Sequence, residues 1–152
     1  MERQGKHLYE TARDQAKDQT VKDFFQGLVN DEQEHMDILE KQFKAYMNSG
    51  KFAAGQYDND GGSEPAPEIL TADLKDKINA AGFEATAITA AIGFEERAIK
   101  LYALRAEGAE DPEEKKLYTW LSVWEKTHLK NLVALQESLM DRIWEDNSFW
   151  PF

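Results

Sequence analysis

The sequence predicts an all-α protein, a four-helix bundle made of two helical hairpins joined by a long crossover that contains a short helix. Three observations carry this. Period-2 alternation and β-branched runs are scarce, while Ala, Glu, Lys, Leu and Gln dominate. Breakers divide the chain into four long segments with helical periodicity. One stretch alone, GKFAAGQYDNDGGSEPAP at 50–67, clusters Gly, Asn, Asp and Pro as an extended loop does.

The first helix is expected over about 1–16. Asp18 is placed to cap the second, which runs to about Asn48. After the loop, Thr71 can cap a short helix, TADLKDKINA, that ends near Gly82. The third long helix is expected over about 83–107, with Gly108 interrupting. Asp111-Pro112-Glu113-Glu114 is then a strong start signal, with an N-cap, a proline at the first helical position and acids in the first turn. The fourth long helix continues to about 145. Short turns make each hairpin antiparallel, and one long crossover is a known bundle topology. The boundaries are thus hairpins 1–48 and 83–146, a crossover 49–82, together one domain over 1–146, and an aromatic tail 147–152. That tail (Trp150 and Phe152 among its residues, with Trp144 before it) suits either packing or an interaction surface.

The chain has 152 residues, enough for one domain with a real core, and a net charge of −11. That charge argues against nucleic acid or an anionic membrane surface as partner. The absence of cysteine removes disulfides and thiolate ligands, so a metal site would have to use oxygen and imidazole. No apolar run approaches the roughly 18 residues of a membrane span, no signal-peptide pattern opens the chain, and the expected location is cytoplasmic.

A repeat lies inside the chain. Shifted by 93 positions, residues 2–39 align with 95–132 without a gap, with 10 identities in 38 positions. Seven of the ten identities fall on the interior stripes. Phe25, Leu28, Glu32, His35 and Leu39 follow 3-4-3-4 spacing, and Tyr118, Leu121, Glu125, His128 and Leu132 repeat it. Glu2, Gly5, Tyr9, Ala12 and Ala16 form such a stripe on the first helix, and Ala91, Glu95, Ala98 and Tyr102 on the third. Each long helix therefore puts one glutamate in its apolar seam, and two add a histidine one turn later.

A lone buried acid commonly makes one satisfied core contact. Four converging carboxylates are different, because they repel one another and would lose charge at a cost of several kcal/mol. No Lys or Arg occupies the seam near them. Divalent cations are the remaining neutraliser, and four carboxylates with two neutral imidazoles balance two M²⁺ ions. Mixed carboxylate and imidazole ligation suits iron or manganese rather than structural zinc. Glu at i and His at i+3 share a helix face, so the histidine can bind one ion while the glutamate reaches between two.

With EQEH at 32–35, EKTH at 125–128, and Glu2 and Glu95 each followed seven residues later by a tyrosine, the sequence resembles the ferritin-like di-iron carboxylate proteins. It is most similar to their rubrerythrin-like branch, over nearly the whole chain. The resemblance implies a di-iron centre, with manganese or a mixed pair as the alternative. In it Glu32 and Glu125 bridge the metals, Glu2 and Glu95 are terminal carboxylates, and His35 and His128 give one imidazole each. Tyr9 and Tyr102 fall where the family often hydrogen-bonds its carboxylates, although core packing also accounts for them.

Two departures from rubrerythrins proper stand out. The additional ligand glutamate one turn after the third-helix glutamate is Ala98 here, and there is no cysteine-rich rubredoxin module. Gly5 and Ala98 either leave room for a small oxygen ligand or let helices pack closely. Helix three has about eleven residues (84–94) before its glutamate where helix one has only Met1. That difference suggests about three turns of helix ahead of Met1 in the natural protein, or a neighbouring chain or the tail covering that end.

The function expected from the resemblance is redox chemistry on hydrogen peroxide or O₂. The first reading is peroxide reduction with an external electron-donor protein, in a homodimer. Ferroxidase activity on Fe²⁺ and a non-catalytic, metal-stabilised binding or sensor module are the alternatives. His7 lies about 140° around its helix from Glu2 and reads as a surface residue. Asp31, Glu34 and Asp37 have no acidic counterparts in the second copy and are expected to face solvent, outside the mechanism.

Overall fold

In a computed structural model, which describes residues 1–55, 57, 71–78 and 82–146, the amphipathic segments wind into five helices, and no strand occurs among the described residues. They are α1 (Glu2–Gln15), α2 (Gln19–Ser49), α3 (Ala72–Lys77), α4 (Phe83–Gly108) and α5 (Pro112–Asp146). The aromatic tail and most of the 50–67 loop lie outside the described residues.

The expected start signals hold. Asp18 Oδ1 accepts from Thr20 N at 2.8 Å, Thr71 Oγ1 from Leu74 N at 3.1 Å, and Asp111 Oδ1 from Glu113 N at 2.8 Å. Each satisfies an amide that helix geometry leaves without a partner. Gly50 ends α2 at φ 70°, a left-handed conformation that glycine adopts without a Cβ clash. Two boundaries differ from expectation. Gly108 is the last residue of α4 rather than a break before it, since a helix tolerates glycine at its frayed end. The short helix stops at Lys77, where Arg142 of α5 donates to the carbonyls of Asp76 (2.9 Å) and Ile78 (2.6 Å). A side chain from α5 thus takes up carbonyls at the end of α3.

α1 packs on α2 and α4 on α5, and the hairpins meet where α1 touches α4. The α1 and α4 seams are built from Gly5, Ala12, Ala91 and Ala98, small enough for those helices to approach. Bulk comes from α2 and α5, through Phe24, Phe25, Trp120, Trp124 and several leucines.

The core divides into two apolar clusters. One joins Tyr9, Phe25, Leu28, Ile88, Leu132 and Leu135, and α3 plugs it with Leu74 and Ile78. The other joins Ala98, Tyr102, Leu117, Trp120, Leu121 and Trp124, with the partly buried Leu39 and Tyr57 at its edge. Buried Gln42 closes that end by bonding both the N–H (2.9 Å) and the carbonyl (3.1 Å) of Ala53. Along α2 and α4 the first cluster precedes the seam glutamate, and along α4 the second follows it. A polar layer is therefore held between two dry ones.

Candidate metal centre

The polar layer contains all six acids and imidazoles that the spacing selects. Glu2, Glu32, His35, Glu95, Glu125 and His128 are buried, each delivered by a 3-4 seam from its own helix. His35 Nδ1 lies 3.1 Å from Glu2 Oε2 and 3.2 Å from Glu125 Oε1. His128 Nδ1 lies 3.1 Å from Glu125 Oε2 and 3.7 Å from Glu95 Oε1. Both histidines thus turn the same ring nitrogen inward. Ligand atoms within 4.8 Å of one another form two groups, Glu2–Glu32–His35–Glu125 and Glu32–Glu95–Glu125–His128, which share Glu32 and Glu125.

The tyrosines cross between hairpins. Tyr9 of α1 donates its hydroxyl to Glu95 of α4, and Tyr102 of α4 donates to Glu2 of α1. Each tyrosine thus does both: its ring packs in an apolar cluster and its hydroxyl bonds a carboxylate. Burial and the adjacent carboxylates push both phenols well above their ordinary value, so they stay protonated as donors.

Among the described residues, no Lys or Arg pairs with the four glutamates. Without cations the layer must share protons. Burial, reinforced by Glu125 and Glu2, pushes Glu32 up to about 12, and burial with Glu125 takes Glu95 to about 8. For the histidines burial opposes the charged form, but carboxylate contacts prevail. His35 rises to about 9 through Glu125 and Glu2, and His128 to about 10 through Asp31 and Glu125. Burial likewise opposes ionisation of Glu2 and Glu125, yet the histidines beside them hold both below the usual carboxylate range.

Even so, Glu32 Oε2 and His35 Nε2 are buried without a hydrogen-bond partner, and Glu125 Oε1 has only the His35 Nδ1 contact at 3.2 Å, which is not a well-formed hydrogen bond. An under-satisfied carboxylate oxygen on each shared glutamate fits a pair of divalent ions, because a buried acceptor left unmade costs about 1–3 kcal/mol.

A cavity of about 10 Å³, room for one water-sized molecule, opens beside the glutamates between Gly5, Ala98 and Phe94. A Cβ on Gly5 would meet Glu32 Oε1 at 3.2 Å and its carboxyl carbon at 3.3 Å. Gly5 therefore serves both sequence readings, close packing and open space. Gly5→Ala is expected to displace the Glu32 carboxylate and lower metal affinity about tenfold, measured by competition with a chelating dye; unchanged affinity would mean the carboxylate can yield freely.

His7 is on the surface as expected, its side chain 83% exposed. His7→Ala is expected to leave metal content unchanged, measured by elemental analysis.

One expectation is corrected. Glu34 and Asp37 are exposed, but Asp31 is not a bystander. Its Oδ2 lies 3.1 Å from His128 Nε2, with the carboxylate only 33% exposed. The residue preceding a seam glutamate sits about 100° around the helix, far enough to leave the seam yet facing the neighbouring helix. An acid there, beside a Glu-x-x-His motif, was the available signal.

No helix among the described residues is long and apolar enough to cross a membrane. No curated protein and no solved structure matches the chain. The family model described as Rubrerythrin matches residues 1–136, which takes in all six buried acids and imidazoles. On that match, the chain belongs to the rubrerythrin family, within the ferritin-like di-iron superfamily.

Proposed function

We propose that the protein binds two iron ions in its polar layer and reduces hydrogen peroxide with electrons from an external donor protein. The observation that carries this is the pair of overlapping ligand groups sharing Glu32 and Glu125. In this reading Glu32 and Glu125 bridge, Glu2 and His35 complete one position, and Glu95 and His128 complete the other. Manganese suits the same donors. Two ferrous ions held together would supply the two electrons that, with two protons from solvent, convert hydrogen peroxide into two waters.

The chain's own residues do the rest. Tyr9 and Tyr102 hold the terminal carboxylates in place by donating to them. The two apolar clusters flank the layer, and the cavity beside Gly5 and Ala98 leaves room for one water-sized group next to the glutamates. That small volume disfavours hydroxylation of an organic substrate. These 152 residues hold no cysteine, so in this reading the electrons reach the bundle from outside it.

Stopped-flow oxidation of the di-ferrous protein tests the reading. Fast turnover with peroxide and slow reaction with O₂ is expected. The reverse order would make the protein a ferroxidase or oxidase. Retained iron with no turnover would leave a metal-stabilised binding or sensor module.

A further inference from the structure

The ligand layer is two-fold in almost every respect. Glutamate answers glutamate, histidine answers histidine, and each tyrosine reaches the opposite hairpin. Among the positions where the symmetry breaks, one pair lies against the ligand histidines and differs in charge. Under the 93-residue shift Asp31 corresponds to Trp124, each immediately before the shared glutamate of its helix. Each reaches the histidine of the other helix. Asp31 accepts a hydrogen bond from His128 Nε2 at 3.1 Å. Trp124 packs edge-to-face on the His35 ring, with centroids 4.6 Å apart, and His35 Nε2 is buried with no hydrogen-bond partner.

Building on the two-metal reading, we propose that the two ion positions are inequivalent. Asp31 makes the position at His128 the tighter, first-filled one, and the position at His35 is the exchangeable one. A carboxylate on the outer N–H of a ligand histidine fixes the tautomer, locks the ring and raises the basicity of the inner nitrogen. An indole at the same place fixes the ring by contact and adds no charge. Both positions draw on three glutamates and one histidine, with Glu32 and Glu125 common to the two. The ligand types are therefore the same at both positions, and Asp31 adds its negative charge on one side only. Asp31 is thus a positioning residue that acts through His128.

The test uses Mn²⁺ alone, added to the metal-free full chain. Wild type is expected to bind two ions per chain in two steps at least tenfold apart. Crystals with one equivalent of Mn²⁺ should show anomalous density chiefly at the His128 position. Asp31→Asn, which keeps the size and an acceptor oxygen but removes the charge, should weaken the first step 10–100-fold and leave the second unchanged. A merely structural role for Asp31 would shift both steps together. Equal steps in wild type, first occupancy at His35, or an Asp31→Asn protein with both steps unchanged or equally weakened would overturn the proposal. Fewer than two Mn²⁺ per folded wild-type chain, folding being read by circular dichroism, would instead overturn the two-metal reading beneath it.

Discussion

Glu32→Gln is expected to give a folded protein that no longer holds a pair of ions. Glu32 contributes an oxygen to both ligand groups, so its loss empties two positions at once. In the metal-free protein the side chain is already neutral, its pKa pushed up to about 12. A neutral amide of the same shape should then cost the metal-free fold less than about 1 kcal/mol, since it replaces no charge. Glu125→Gln should lose the pair equally but behave differently without metal. Glu125 is ionised between His35 and His128. Removing its charge leaves two buried imidazolium groups short of a partner, at a cost of about 3–5 kcal/mol. Iron per chain by elemental analysis and melting by calorimetry read both effects. Two irons still bound to Glu32→Gln, or to Glu32→Ala and Glu125→Ala, would refute the bridging assignment.

Metal loading should release protons and reverse the pH dependence of stability. Near pH 7 the metal-free layer holds protons on Glu32, Glu95, His35 and His128. All four must leave when cations enter, so about four protons per pair should appear in weakly buffered solution, and affinity should climb steeply with pH. The signs for the metal-free fold agree with one another. Glu32 and Glu95 keep protons that the unfolded chain sheds above its ordinary 4.5, which lowers stability as pH rises towards the folded values. The contribution of His35 and His128 is present below the ordinary 6.5 and is lost as pH rises through about 9 and about 10. The metal-free protein should therefore melt progressively lower from pH 7 to pH 10, while the loaded protein, already stripped of these protons, should not. At a free metal concentration a thousandfold above Kd the stabilisation is about 4 kcal/mol, or roughly 10 °C for a chain of this size. A metal-free melting temperature that rises over this range would refute the proton assignment.

Three of the helix starts were legible because each is set by a few local residues. Asp18, Thr71 and Asp111 do their capping within three positions of themselves. The end of the short helix was not, since Arg142, which takes up its terminal carbonyls, lies 64 residues from Ile78. The ligand set was legible for a different reason. Repetition singled out Glu32 and His35 from the equally acidic Asp31, Glu34 and Asp37, because only the first two recur on the seam of the second hairpin. That filter hid Asp31. A criterion built on recurrence discards whatever distinguishes the two copies, and Asp31 stands opposite a tryptophan. The tyrosines were half legible. Their spacing from Glu2 and Glu95 was visible, but a hydroxyl that reaches the other hairpin depends on how α1 and α4 meet.

That exchange of hydroxyls ties the two hairpins to each other. Tyr9 serves Glu95 and Tyr102 serves Glu2, so each of these glutamates takes its tyrosine hydroxyl from the opposite hairpin. Two copies of one hairpin paired about a two-fold axis would make the same exchange, so each hairpin depends on the other for one hydrogen bond to its glutamate.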